Sequence, residues 1–348
     1  MLDKLIGNSD AKAHLRHLMK EGRVPQSLLL AGPEGVGKKH FAIEIARARL
    51  CAEQNGEACG VCAPCERVGK FDLPTGDNAD TFERVIFSEH PDVGMVIPFR
   101  RNIRINAIRD LEREANFNPF EGSGRFFVID EAEKLNDAAA NALLKTLEEP
   151  APTTNIILVT SRPDSLLPTI RSRCQMLRFA RVPNEDIEKF LVNKKEYTPD
   201  RARIAAGLSR GSVGRALSID IEASQEQRRI MYEVLEAAAV RRDLAGVLRL
   251  SDTLSDAKHK DQFESNLEML ESLIHDIWIT AASGDRRRIS NIDMEDEILR
   301  ITSFVTPAEL AKWLEAIDDL RRSLGVNINR RMATDAMFAK FAAGGSAL

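Results

Sequence analysis

Five short runs of apolar, β-branched or aromatic residues punctuate the first 180 or so positions: Ser27–Ala31, Asp92–Ile97, Arg125–Asp130, Asn155–Thr160 and Gln175–Phe179. They are nearly continuous in hydrophobicity rather than alternating, which is the pattern of strands covered on both faces in a parallel sheet. Between them, Lys39–Leu50 and Asp137–Glu149 carry apolar residues at helical spacing; Leu143 with Leu147, and Ala140 with Leu144, make an i, i+4 stripe. Strand alternating with helix predicts an α/β domain. After Val182-Pro183 the strand pattern stops. Residues 184–218 read as two or three short helices around the turn Ser209-Arg210-Gly211-Ser212-Val213-Gly214, and from about 223 onward the pattern is helical. Thr306, Pro307 and Glu309 mark one helix start as N-cap, first position and capping box. Trp278 and Trp313 are expected in the core of this helical part. The pattern divides the chain into three domains, 1–181, 182–221 and 222–348.

Composition narrows the class. The 348 residues hold 43 % hydrophobic and 29 % charged side chains, which excludes disorder and collagen-like repeats. Lys and Arg number 49 against 53 Asp and Glu, a formal charge of −4, so bulk electrostatics does not grip nucleic acid; such contact needs a local basic surface or a partner. No apolar run approaches the ~18 residues of a membrane helix, and the first residues lack a signal-peptide core. The expectation is a soluble, cytoplasmic protein without a membrane partner.

Candidate chemistry begins at Gly32-Pro33-Glu34-Gly35-Val36-Gly37-Lys38-Lys39, between a predicted strand and a predicted helix. It satisfies the Gly-x-x-x-x-Gly-Lys part of a phosphate-binding loop, in which backbone amides and the lysine cradle phosphate oxygens. The eighth position holds Lys39 where Ser or Thr ligates Mg²⁺. An ammonium repels a cation, so ATP or ADP binding is expected to be weak or without hydrolysis. Asp130 and Glu131 end an apolar strand, where such a pair can hold the Mg²⁺ water shell and polarise an attacking water.

Four of the five cysteines, Cys51, Cys59, Cys62 and Cys65, fall in one polar segment with Gly56, Gly60 and Pro64. In a reducing compartment such clustering points to metal. Four thiolates suit a closed, structural Zn²⁺ site, and the Cys-x2-Cys-x2-Cys repeat leaves an iron–sulfur cluster as the alternative. Cys174 reads as a small buried residue. His14 and His17 read as a solvated helix face. Arg100, Arg101 and Arg104 cluster at a loop-to-helix junction, either as an ordinary solvated turn or as a phosphate contact.

Ile6-Gly7-Asn8, the phosphate loop, the cysteine insertion after its helix (about 51–65), Asp130-Glu131-Ala132-Glu133, Leu144-Lys145-Thr146-Leu147-Glu148-Glu149-Pro150 and Ser172-Arg173-Cys174 follow one another in this order. Over its first ~220 residues the chain thereby resembles the bacterial clamp-loader subunits, AAA+ proteins of the DNA polymerase III holoenzyme. The resemblance implies an α/β AAA+ (RecA-like) parallel-sheet domain with a zinc module, then a small helical lid and an all-α collar. It also implies partners: gamma/tau and delta subunits, the sliding clamp, and primer–template DNA, toward which the Arg100–Arg104 region faces.

The family has ATP-hydrolysing motor subunits and a stationary one that hydrolyses little or none. Three features resemble the stationary one: Lys39 at the Mg²⁺ position; Gly214 where motor-like lids carry an arginine, with Arg215 one residue late; and no long Pro-rich or basic extension after the collar. Ser172-Arg173-Cys174 is intact, and in the resemblance its arginine serves as a finger in the neighbouring subunit's ATP site. The expectation is a replication subunit without independent activity, part of a DNA-directed DNA polymerase. The alternatives are an active gamma/tau-like motor or a zinc-dependent DNA-binding protein.

Overall fold

The computed structural model describes residues 2–22, 24–53, 55–195, 197–255, 263–284, 286, 289–324 and 329–342. Its strands are β1 (Ser27–Ala31), β2 (Ile86–Phe87), β3 (Val93–Val96), β4 (Arg125–Ile129), β5 (Thr154–Thr160) and β6 (Gln175–Arg178). They form one sheet in the order β2-β3-β4-β5-β1-β6. All neighbours are parallel except β2 and β3. The five expected runs are the five parallel strands. β2 adds an antiparallel edge that two residues are too few to reveal by period.

Side chains alternate between two cores. Leu28, Leu30, Val128, Ile157 and Val159 enter one, with Leu15 of α1 (Ser9–Lys20), Phe41 and Ile45 of α2 (Lys38–Leu50), and Cys65 of α3 (Ala63–Arg67). Leu29, Phe127, Ile129, Ile156 and Leu158 enter the other, with Ile108 and Leu111 of α4 (Ile105–Ala115), Leu143 and Leu147 of α5 (Asp137–Glu148), and Ile170 of α6 (Pro168–Arg173). Helices on both faces explain why the strands read as unbroken apolar runs. The helix after β1 packs on the first face, whereas those after β3, β4 and β5 pack on the second. The chain therefore changes direction beside β1, and the carboxyl end of that strand is where an open α/β sheet forms its ligand crevice.

Three short helices follow: α7 (Asn184–Lys195), α8 (Pro199–Ser209) and α9 (Val213–Ser218). Then come α10 (Ile221–Glu236), α11 (Leu244–Ser255), α12 (Phe263–Ser283), α13 (Glu295–Thr302), α14 (Pro307–Leu324) and α15 (Arg330–Ala342). The chain divides into two compact units, one running to Lys195 and taking in Gly211–Leu217, the other holding the rest of the described residues. Residues of the expected lid thus contribute to both.

In the helical unit the capping box forms as expected: Thr306 N–H donates to Glu309 Oε2 at 2.9 Å, and Glu309 N–H to Thr306 Oγ1 at 3.2 Å. Trp313 is buried and stacked on Phe341, ring centroids 4.8 Å apart. Trp278 departs from expectation, being 37 % exposed. The buried stripe of α12 runs through Leu267, Leu270, Ile274 and Ile277, and Trp278 falls one position off it. No helix among the described residues is long and apolar enough to cross a membrane.

A buried polar cluster ties this unit together. Arg228 of α10, 1 % exposed, donates to both carboxylate oxygens of Asp293, at 2.8 and 2.5 Å, and to Asn291 Oδ1 at 3.1 Å. Asp276 of α12 accepts from the backbone amides of Ser290 and Asn291, at 3.0 and 2.8 Å. Burial opposes ionisation of Asp293, but the Arg228 bonds outweigh it and hold its pKa below the usual value. Removing one partner strands the other charge. Asp293→Ala is expected to destabilise the unit by about 3 kcal/mol, read as an earlier urea transition in tryptophan fluorescence; an unchanged midpoint would contradict this role.

Candidate nucleotide and metal sites

The phosphate loop leaves β1 at Gly32, whose N–H donates to the Thr160 carbonyl of β5 at 3.2 Å. Gly35 and Gly37 sit at φ of 71° and 96°, backbone that favours glycine. At Gly35 an added Cβ would lie 2.0 Å from Ser212 Oγ, and the Gly35 carbonyl accepts from Gly214 N–H at 2.9 Å. The Ser212–Gly214 turn therefore lies directly against the loop. At Gly37 an added Cβ would meet nothing within 4 Å, so the mouth of α2 is open to a ligand. Val36 anchors the loop in the core.

Lys38 is 6 % exposed and donates from Nζ to the carbonyls of Gly32 and Pro33, both at 2.6 Å. Burial lowers its pKa, while the negative charges of Glu133, Asp130 and Glu34 work the other way. A buried ammonium, open helix-start amides and a glycine approach form a donor set that fits phosphate oxygens.

Mg²⁺ does not fit. Lys39 Nζ stands 2.8 Å from Asp130 Oδ2, so the strand-end carboxylate that would hold the metal's water shell is engaged by an ammonium. The other oxygen, Asp130 Oδ1, accepts from Glu131 N–H at 3.1 Å. Glu131 itself is turned into left-handed backbone, φ 50°, and pairs with Lys134. Glu133, quoted in the sequence only as part of a motif, joins the site: its carboxylate accepts from the backbone amide of Ser161 at 3.2 Å and from its hydroxyl. Burial resists its ionisation, yet these bonds keep its pKa low. Neither Ser161 nor Ser212 carries any local signal, because each meets the site from a distant stretch of chain.

Cys51, Cys59, Cys62 and Cys65 bring their Sγ atoms within 4.8 Å of one another, with Cys51 and Cys62 4.0 Å apart. A tetrahedral ion with bonds of about 2.3 Å needs sulfur separations of about 3.8 Å, so the four ligands fit a closed metal centre. Cys59 N–H donates to Cys51 Sγ at 3.4 Å. Hydrogen bonding from the Ala52 backbone lowers Cys62 to about 6, while burial raises Cys65. The module is braced by Arg47, which donates to the Cys65 and Val68 carbonyls at 3.0 and 2.8 Å, and by the Arg16–Glu57 ion pair at 2.6 Å. Cys174 lies elsewhere, half-buried, its thiol pushed by burial to about 12.

Arg173 ends α6, donating to the Thr169 carbonyl at 2.9 Å and pairing with Glu148 of α5 at 2.5 Å. Arg100 and Arg104 flank the Phe99 ring at 5.2 and 5.7 Å and pair with Asp77 and Glu83; Arg101 is exposed beside them. His14 and His17 are exposed on α1.

A phosphate loop at the direction change of a parallel sheet, with an Asp-Glu strand end facing it and a four-cysteine module after its helix, defines an AAA+ domain of the clamp-loader type. The model of the family "DNA polymerase III, delta subunit" matches residues 7–183, and the chain belongs to that family. It is similar to DNA polymerase III subunit delta' of Bacillus subtilis (strain 168), 27 % identical over 330 residues covering 94 % of this chain and 91 % of that protein. Subunit delta' of Escherichia coli (strain K12) is 26 % identical over 316 residues, covering 89 % and 87 %. DNA polymerase III subunit tau of Bacillus subtilis (strain 168) is 27 % identical over 278 residues, 77 % of this chain but 46 % of its own length.

Replacing one thiolate should empty the metal centre. Cys62→Ser is expected to lose the bound metal in elemental analysis and to melt at a lower temperature, because metal binding and folding of so short a loop are coupled. Unchanged metal content and melting would contradict a metal centre.

Proposed function

We propose that this chain is a stationary clamp-loader subunit of the delta' type, which hydrolyses no ATP itself and completes a neighbour's ATPase site during loading of the sliding clamp onto primed DNA. The observation that carries this is the ion pair between Lys39 and Asp130. It removes both the hydroxyl and the free carboxylate on which metal-assisted phosphoryl transfer depends. The lid turn adds to it: Gly214, with no side chain, stands at the position where an arginine would sense the γ-phosphate.

Residues 1–181, 182–221 and 222–348 are read as nucleotide-binding domain, lid and collar, with gamma/tau and delta subunits as partners in the cytoplasm. The loop from Gly32 to Lys39 holds ATP or ADP without turning it over. Asp130, relieved of a metal, holds Lys39 at the end of the loop, while Glu131 pairs with Lys134. The four cysteines hold Zn²⁺, which one zinc per chain in colourless protein would support. Arg100, Arg101 and Arg104 offer phosphate contacts, Arg100 and Arg104 positioned by Phe99.

Arg173 is the residue that acts outward. A partly exposed ion pair such as Arg173–Glu148 contributes at most about 1 kcal/mol, so the guanidinium can leave Glu148 for a phosphate across a subunit boundary. Arginine fingers accelerate the one site they serve by about 10³–10⁵. Arg173→Ala is therefore expected to leave melting and zinc content intact while reducing DNA-stimulated clamp loading by a reconstituted complex, with part of the total ATPase lost. Arg173→Lys should not restore it, since a point charge does not reproduce the guanidinium fork. Normal loading by the Arg173→Ala complex, or robust ATPase by the isolated wild-type chain, would contradict the proposal.

A further inference from the structure

A divalent cation in a phosphate loop screens the phosphate oxygens and links them to the strand-end aspartate. Here both tasks fall to groups of the chain itself. Lys39 Nζ is 2.8 Å from Asp130 Oδ2, and its side chain, 38 % exposed, has room to turn its head toward the open mouth of α2. Lys38 supplies a second ammonium, buried against the loop. Of the carboxylates near them, Glu34 acts on Lys38, Glu133 is tied to Ser161 and Glu131 to Lys134, and Asp130 is the one paired with Lys39. Mg²⁺ entering this space would have to displace a tethered ammonium and then sit beside it.

We propose that this loop takes a nucleotide polyphosphate as the metal-free anion, with the Lys39 ammonium standing in for the divalent cation. This rests on reading the loop as a nucleotide site, but the two are separable. Metal-free binding makes a distinctive demand on Asp130. In a Mg²⁺-dependent site the aspartate supports the ligand through the metal. In this site it competes with the phosphates for Lys39. Removing its charge should have opposite signs in the two cases.

The test is titration of the full chain with a fluorescent ADP analogue, read by anisotropy, in buffer freed of divalent ions by chelating resin and in the same buffer with Mg²⁺. Resin is used rather than a soluble chelator so that the cysteine-bound metal stays in place. Wild-type binding is expected not to strengthen when Mg²⁺ is added, and to weaken to the extent that Mg²⁺ sequesters the ADP analogue in solution, since the site carries its own cation. Asp130→Asn should tighten metal-free binding by about fivefold, and Lys39→Thr should weaken it by about tenfold and make it recover with Mg²⁺. Melting curves and metal content establish that each variant is folded. A wild-type affinity raised more than about threefold by Mg²⁺ would overturn the proposal while leaving the nucleotide reading intact. Weaker or unchanged metal-free binding by Asp130→Asn would overturn it too. Absence of ADP binding in both buffers would overturn the proposal and the nucleotide reading together.

Discussion

Burial of both faces of the parallel sheet is the constraint on which the rest depends. Neighbouring residues of β1, such as Leu28 and Leu29, enter opposite cores, so the central strands have to be covered on both faces by helices, while the edge strands β2 and β6 stay partly exposed. With right-handed crossovers, two layers of helices force the chain to reverse its direction across the sheet, and the reversal falls beside β1. The glycines of the phosphate loop, the start of α2 and the end of β4 then converge on one crevice. The site is placed by the requirement to hide apolar surface, and the chemistry is written onto residues that this packing brings together.

What those residues can do is limited by charge. A phosphate loop normally receives its second cation from solution; this one carries it on the chain. Lys39 is held by Asp130, Lys38 by two carbonyls of its own loop, Glu131 by Lys134 and Glu133 by Ser161. Each of these charges is satisfied inside the protein. Arg173 stands at the end of a helix that the second core anchors through Ile170.

The cysteine module follows a different economy. Its segment is polar and rich in turns, and its apolar contribution to the core comes largely from Cys51 and Cys65 themselves. A loop this short has little else to bury, and a metal held by its four thiolates would supply the cross-link. Arg47, reaching from α2 to the Cys65 and Val68 carbonyls, couples that shape to the helix that starts at the phosphate loop.

Local features were legible in the sequence. Unbroken apolar runs announced the five parallel strands, glycine spacing announced the loop, cysteine spacing the four-thiol cluster, and Thr306 with Glu309 a helix start, because each is a matter of period or spacing within a few residues. Trp278 shows the limit of that reasoning: its type suggested the core, but one position along α12 separates it from the buried stripe. β2 exists only because β3 offers it an edge. The anomaly at position 39 was visible, whereas its consequence was not, since Asp130 reaches Lys39 only when β4, β5 and β1 lie side by side in the sheet. The same holds for Ser212 against Gly35 and Ser161 against Glu133. Pattern along a chain specifies what each segment buries; which charges end up opposite one another is decided by the order in which the sheet assembles those segments.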